Sequence, residues 1–257
     1  MILVLGGTSE SREVAILCAK RNYPVLYTST MGIINDLPEA VERWTGILSP
    51  DSFRQLVDDK RVSCIVDATH PFAVEISRQA MHVCGGAGIP YLRLERPSTG
   101  DLERYAHVKT VLDVKRAAQA ACRIPGAILS AVGVKNLPAL VAELGDRRRD
   151  LIVRVLPIAE SMEACAKLGI HPSRIIAMQG PFSKDFDSLL IKNFRITVMV
   201  SKESGDRGGL DAKIQACQET GCMLILIRRP VMKYPHMRET PEECMPWINE
   251  KMQERKE

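Results

Sequence analysis

Short apolar runs punctuated by glycine and polar loops organise this chain, and helical patterns separate them. The first run, Ile2 to Leu5, passes into Gly6-Gly7 and then into Thr8-Ser9-Glu10-Ser11-Arg12. A continuous apolar run of this length reads as a strand buried on both faces, as in a parallel sheet. Further runs at 25–30, 62–66, 90–94, 127–132, 151–156, 175–178, 196–200 and 223–227 predict eight more strands. Helices are predicted over 10–21, 49–59, 74–85, 113–122, 136–144, 161–168, 185–192 and 210–220, with a short final helix after Pro241. Residues 31–50, up to the start of the second helix, read as irregular. Alternating strands and helices predict an α/β fold built on parallel sheets.

Two similarities link the halves of the chain. Ile65…Pro71-Phe72-Ala73 is echoed by Ile175…Pro181-Phe182-Ser183, and the segment 88–97 is echoed by 221–230. Two Rossmann-like domains with parallel sheets and a cleft between them are therefore expected. The division falls at 1–104 and 105–257, with the tail able to pack back.

Composition narrows the function. A net charge of +4 favours an anionic ligand only weakly, and with 5% aromatic residues and no basic block there is no nucleic-acid signature. No apolar run is long enough to cross a membrane, and the first segment lacks the basic start of a signal peptide. The eight cysteines form no C-x-x-C pair and read as small core residues of a reduced, cytoplasmic protein. The histidines lack ligand spacing, so no metal site is expected.

Candidate chemistry gathers where strands end. Strand, glycine turn and helix start at 2–12 form a recipe for holding a phosphate, with amide N–H groups and the helix dipole aimed at the anion. The strict G-x-G-x-x-G pattern is absent. The second strand ends Tyr27-Thr28-Ser29-Thr30 rather than in a carboxylate. That is compatible with a 2′-phosphate, or with no dinucleotide at all. At 67–73, His70 could donate a proton or bond a ligand carboxylate beside the apolar wall of Phe72; the plainer reading is a helix cap at Asp67 and a packed histidine. At 201–209, three glycines, two serines and Lys202 precede a helix, which suits an anion; a solvated surface loop is the alternative. Arg93, Arg96, Arg228 and Arg229 suit forked recognition of carboxylates, or ion pairing with neighbours such as Glu95. The basic turn Arg147-Arg148-Arg149 reads as solvated surface. Tyr105…Lys109 matches a Y-x-x-x-K pair, but that pair needs a helix, and this segment reads as extended.

Together these stretches resemble the precorrin-6A reductase family of corrin biosynthesis, including its cobalt-precorrin-6A members. GGTSESR (6–12), DATHPFA (67–73), YLRLERP (91–97), VRVLP (153–157), IIAMQGPFS (175–183), VSKESGDRGGLDAKIQA (200–216) and IRRP (227–230) carry the resemblance. It implies an oxidoreductase that uses NADPH or NADH to reduce the C18–C19 double bond of precorrin-6A or cobalt-precorrin-6A. Gly6, Gly7, Thr8 and Arg12 would hold cofactor phosphate, with Ser29 and Thr30 near the adenosine ribose. Thr69, Phe72, Ser204 and Gly205 would contact the tetrapyrrole, and His70 and Lys202 are the candidate proton donors. The resemblance is also consistent with transient contact with neighbouring pathway enzymes. Two positions depart from the family's pattern: Ser98-Thr99, where an aromatic residue is expected, and Ser11, where alanine is usual. The alternatives are a non-catalytic nucleotide- or tetrapyrrole-binding protein on the same shell, or a transferase that uses an activated nucleotide.

Overall fold

A computed structural model describes residues 1–30, 36–97 and 100–254. The chain forms two compact units, one of Met1–Pro97 with Pro230–Glu257 and one of Ser98–Arg229.

In the first unit the order is β1 (Ile2–Leu5), α1 (Ser9–Ala19), β2 (Val25–Ser29), β3 (Val41–Thr45), α2 (Pro50–Asp59), β4 (Cys64–Asp67), α3 (Val74–Ala87) and β5 (Tyr91–Leu94). In the second unit it is β6 (Val108–Val111), α4 (Val114–Cys122), β7 (Ala127–Ala131), α5 (Leu137–Leu144), β8 (Leu151–Val155), α6 (Ala159–Lys167), β9 (Ile175–Ala177), α7 (Lys184–Phe194), β10 (Ile196–Lys202), α8 (Leu210–Thr220) and β11 (Met223–Ile227). The chain then returns to the first unit with β12 (Met237–Arg238) and α9 (Pro241–Gln253).

Each unit holds a six-stranded sheet, ordered β12-β5-β4-β1-β2-β3 in the first and β6-β11-β10-β7-β8-β9 in the second. Every pairing is parallel. The first strand shows why the apolar runs are continuous. Ile2 and Val4 face a cluster with Val14, Cys18, Trp247 and Ile248, on the side of α1 and α9. Leu3 and Leu5 face the opposite cluster with Phe53, Ile65 and Val83, on the side of α2 and α3. Both faces of the strand are covered, so no polar position alternates in. Helix starts follow local chemistry: Thr8 with Ser11, and Ser49 with Ser52, form reciprocal capping boxes at α1 and α2.

The structure corrects the sequence reading at three strands. β3, within the stretch read as irregular, and β6 and β12 are all sheet-edge strands. Each has one neighbour, and their side chains are mostly exposed or half-buried, so none presents an apolar run. The remainder of that irregular stretch, 31–35, lies outside the described residues, as do Ser98-Thr99. Tyr105 and Lys109 flank and enter β6, so they share no helix face.

The units divide at 97/98 and again at 229/230, where the sequence reading divided the chain at 104/105. Leu102 is buried in the core of the second sheet with Leu129, Met199 and Leu224. The tail joins the first unit through Cys244, Met245, Trp247 and Ile248, and Tyr23 Oη donates to Asn249 Oδ1 at 3.0 Å. The tail is therefore core rather than appendage. Ile248→Ala is expected to destabilise the first unit by about 2–5 kcal/mol, read as a lowered urea midpoint; an unchanged midpoint contradicts this packing.

Candidate functional site

In an open parallel sheet, ligands bind at the carboxyl ends of the strands where strand order reverses. In the first unit that point lies between β1 and β4, because the chain runs outward through β2 and β3 and then crosses to β4. The loops there are 6–8 and 68–73. In the second unit it lies between β7 and β10, with the loops 132–136 and 203–209.

At the first point the glycine turn is bonded internally. Gly6 N donates to Thr28 O at 2.8 Å, Gly7 N to Tyr27 Oη at 3.0 Å, and Thr8 N to Ser11 Oγ at 3.1 Å. Ser11 Oγ also pairs with Tyr27 Oη at 2.8 Å. Ser11, read from sequence as a departure near a phosphate, is thus a buried member of the turn's own network. The amides of Gly6, Gly7 and Thr8, expected to face an anion, are committed to the protein. The two glycines have different reasons. A Cβ on Gly6 would fall 2.1 Å from the Tyr27 ring, whereas Gly7 sits at φ +112° beside open space, a conformation that disfavours a side chain. Arg12 is partly exposed and 3.9 Å from Asp36. Ser29 and Thr30 close β2 in half-buried and exposed positions. The turn is tied to the next loop by Thr8 Oγ1, which donates to Ala68 O at 2.8 Å.

That next loop is held by a buried ion pair. Asp67, which ends β4, is fully buried and Arg93 on β5 is 1% exposed. Arg93 Nη1 donates to Asp67 Oδ1 at 2.8 Å and to Thr69 Oγ1 at 3.0 Å, and Nη2 donates to Thr69 O at 3.0 Å. Arg93 Nε donates to Glu95 Oε2 at 2.9 Å, and Tyr91 Oη donates to Asp67 Oδ2 at 2.7 Å. Burial would raise the Asp67 carboxyl, but Arg93, with Ser77, Thr69 and Tyr91, holds it below the ordinary aspartate value. For Arg93, burial acts against its charge, yet Asp67 and Glu95 raise its pKa. Thr69 is consequently a member of the ion-pair network. His70 is half-buried; its Nδ1 accepts the Phe72 amide at 3.2 Å, and the two rings lie 5.8 Å apart. With Nδ1 as acceptor, the imidazole proton resides on Nε2. The crevice between the loops is also lined by Glu10, Arg96 and Glu239. Burial raises the Glu10 carboxyl, but hydrogen bonds from Arg96 and Ser9 outweigh it and hold the group low.

At the second point, Lys202 ends β10, and Lys135 follows Gly133 at the end of β7. Burial, then the charge of Lys135, lowers the Lys202 pKa to about 8. Glu203 is buried and receives Arg229 N at 3.1 Å, with Arg228 Nε at 3.4 Å. Ser204 Oγ donates to Gly208 O at 3.1 Å, and Gly205 O accepts from Gly208 N and Leu210 N. Beneath the loop, buried Lys213 donates to Gly208 O at 2.9 Å and to Gly209 O at 3.3 Å. Its pKa falls to about 8 through burial and then Arg154, with Asp187 opposing. Arg154 itself pairs with buried Asp187 at 2.5 Å and lies 4.3 Å over the Phe182 ring. The motif residues Arg154, Phe182 and Lys213 therefore build the support under the 204–209 loop.

Two sequence expectations change. The arginines read as ligand forks are engaged internally: Arg93 by Asp67, Thr69 and Glu95, Arg96 by Glu10, and Arg228 and Arg229 by Glu203. The echo of 65–73 at 175–183 joins non-equivalent strands, because β4 adjoins its switch point whereas β9 is an edge; the counterpart of β4 is β10. The second echo does join equivalents, β5 and β11. Sequence reading missed Lys135, the clamp by Lys213, and Glu239, which the returning tail brings to the crevice. The basic residue two positions after Gly133 was a usable signal for the first; the other two depend on tertiary placement.

Arg93→Met leaves Asp67 buried and unpaired and is expected to cost about 3–5 kcal/mol, measured by urea denaturation. Because the Asp67 pKa is lowered on folding, its contribution is present above the unfolded aspartate value and is lost as pH falls through the folded value. Asp67→Asn should flatten the acid limb of stability against pH, and an unchanged limb contradicts this. Lys213→Met removes the carbonyl clamp, so hydrogen exchange at the Gly208 and Leu210 amides should quicken about tenfold, the scale of one hydrogen bond. Unchanged exchange there contradicts the clamp.

Comparison with known proteins gives the family. A profile of the precorrin-6x reductase CbiJ/CobK family matches residues 1–249. The cobalt-precorrin-6A reductase of Priestia megaterium is 38% identical over 250 residues, covering 95% of this chain and 96% of that protein. The precorrin-6A reductase of Rhodobacter capsulatus is 28% identical over 256 residues, covering 96% and 95%. A solved CobK precorrin-6A reductase shares the fold with a TM-score of 0.79 at 24% identity, covering 97% of this chain and 96% of that one. The chain belongs to the precorrin-6x reductase family, oxidoreductases that reduce a carbon–carbon double bond of precorrin-6A in cobalamin biosynthesis.

Proposed function

We propose that this chain reduces the C18–C19 double bond of cobalt-precorrin-6A or precorrin-6A with NADPH or NADH, in the cytoplasm. The observation that supports this reading is positional. Each motif the chain shares with the family lies at, or just beyond, the carboxyl end of a strand, the edge of a parallel sheet that receives ligands. Identities of 38%, 34% and 32% to three cobalt-precorrin-6A reductases, against 28% and 31% to two precorrin-6A reductases, lean towards the cobalt substrate. Free cysteines at all eight positions, seven of them buried, suit a reducing compartment. Transient contact with neighbouring pathway enzymes belongs to the same reading.

A dinucleotide fits the first unit. Gly7 leaves open space at the switch point, and β2 ends in hydroxyls, with no carboxylate there to repel a 2′-phosphate. Gly6, Gly7, Thr8 and Arg12 would hold phosphate, and Ser29 and Thr30 would meet the adenosine ribose. With the turn's first amides already bonded, Arg12 and the helix dipole carry most of the attraction. When bound, the dinucleotide supplies the hydride.

Thr69, Phe72, Ser204 and Gly205 form the macrocycle contacts of this reading. Lys135 and Lys202 supply positive charge for its carboxylates. The reduced bond also needs a proton, from Lys202, or from His70 as an imidazolium, which requires Nδ1 to give up the Phe72 amide it accepts. A lysine of pKa about 8 stays mostly charged at neutral pH yet gives up its proton far more readily than a solvated lysine.

Quenching or enhancement of nicotinamide fluorescence on mixing tests cofactor binding, and single turnover with both macrocycles tests the reaction. Binding of neither NADPH nor NADH to the folded protein would overturn the reading. If Lys202 donates the proton, single-turnover rates should fall as pH rises past about 8. Lys135→Gln, by removing a like charge, should move that falling limb to higher pH. A limb that stays in place in Lys202→Ala would instead assign the proton to His70 or water.

A further inference from the structure

The amino-terminal edge of the second sheet carries a groove of about 290 Å³ that contains none of the residues assigned above to the reduction. Arg148 and Arg149 reach it from the turn before β8, and His171 and Arg174 from the turn before β9, over an apolar floor that includes Leu151 and Ile170. Lys202 and Lys135 sit at the carboxyl ends of parallel strands of the same sheet. The five residues of β8 put roughly 16 Å between the two ends.

The charge around the groove is one-sided. Among the described residues, no acidic one lines it. Two acids of neighbouring segments are engaged elsewhere: Asp150 binds Arg147 at 2.7 Å and Glu143 lies 3.5 Å from Lys115; Asp146, in the same turn, does not line it. Arg147 also donates to the carbonyls of Cys122, Ile124 and Gly126, which anchors the turn that carries its two neighbours. Among the described residues, the Arg148, Arg149 and Arg174 side chains have no hydrogen bond or ion pair. His171 Nδ1 is held by Ser173 Oγ at 2.8 Å, so the free edge of the ring is Nε2. Three arginines lining one concavity concentrate like charge there, and an oxyanion bound among them offsets that repulsion with forked hydrogen bonding.

We propose that this groove binds a small oxyanion with an apolar body, a phosphate or polycarboxylate ester or acid, at a site separate from that of the reduction. The apolar floor selects against a bare inorganic ion as the best ligand, and the three planar forks select for an anion with two or more negative charges. Such a site gives the enzyme a place to sense an anionic metabolite without competition from its substrate.

The test is isothermal titration calorimetry of the full chain with pyrophosphate, phenyl phosphate and citrate at constant ionic strength. One-to-one binding is expected, with phenyl phosphate tighter than inorganic phosphate measured alongside. The double variant Arg149→Gln/Arg174→Gln should weaken it at least tenfold with an unchanged melting temperature, and Arg149→Gln alone should weaken it less. Lys202→Ala should bind as wild type does, which separates this site from the proposed reduction. Tighter binding of the phosphates identifies a phosphate site, and tighter binding of citrate a carboxylate site. No saturable binding of any probe overturns the proposal, as does an affinity unchanged in the double variant or abolished equally in Lys202→Ala.

Discussion

The carboxylate–arginine pair across two neighbouring strands is the constraint on which the first unit's crevice depends. Asp67 and Arg93 lie 26 residues apart in sequence and side by side in the sheet, where β4 and β5 pair with these two residues in register. Their bond satisfies two buried charges at once, and the spare donors of Arg93 reach Thr69 and Glu95. The loop after β4 therefore leaves the sheet in one direction, with His70 and Phe72 set by it. A buried ion pair contributes little net stability over an apolar pair, but losing one partner is costly; its value here is geometric. The second unit repeats the device on equivalent strands. Glu203 follows β10, Arg228 and Arg229 follow β11, and the loop that starts at Lys202 is fixed in the same way.

Support under that second loop comes from another buried cation. Lys213 bonds two successive carbonyls, while Arg154 and Asp187 neutralise each other nearby. Three motifs far apart in the chain meet at this place. Their residues act through the loop they hold, which keeps most of its own polar groups inside: Ser204 and Gly205 are buried and Lys202 is half-buried. Such economy explains why motif-bearing arginines look like ligand forks in sequence and are structural bonds in the fold.

How much could be read in advance followed from burial. The central strands were legible because both of their faces are covered, which removes polar positions from runs such as Ile2–Leu5 and Met223–Ile227. Edge strands β3, β6 and β12 were hidden because one neighbour leaves their side chains in solvent. The loops at 67–73 and 201–209 stood out by residue type alone, and the structure sets both at carboxyl ends of strands. The partner of Arg93 was not, since strand order decides it and no local pattern encodes strand order. The same gap explains the mistaken equivalence of 65–73 with 175–183. Lys135 stood in plain view after a glycine at a strand end, but its significance rests on β7 lying beside β10.

The returning tail has a consequence for synthesis. The second unit is one continuous segment and is complete once residue 229 has emerged. The first unit begins earlier and finishes later: β5 has no outer neighbour until β12 arrives, and one face of its core lacks Trp247 and Ile248 until those residues have emerged. Through most of translation the chain thus carries an unpaired strand edge beside uncovered apolar surface, the combination that invites pairing with another chain. The domain made first must wait for the one made second. A ribosome that stalls or terminates early releases a finished second unit joined to an adhesive, unfinished first one.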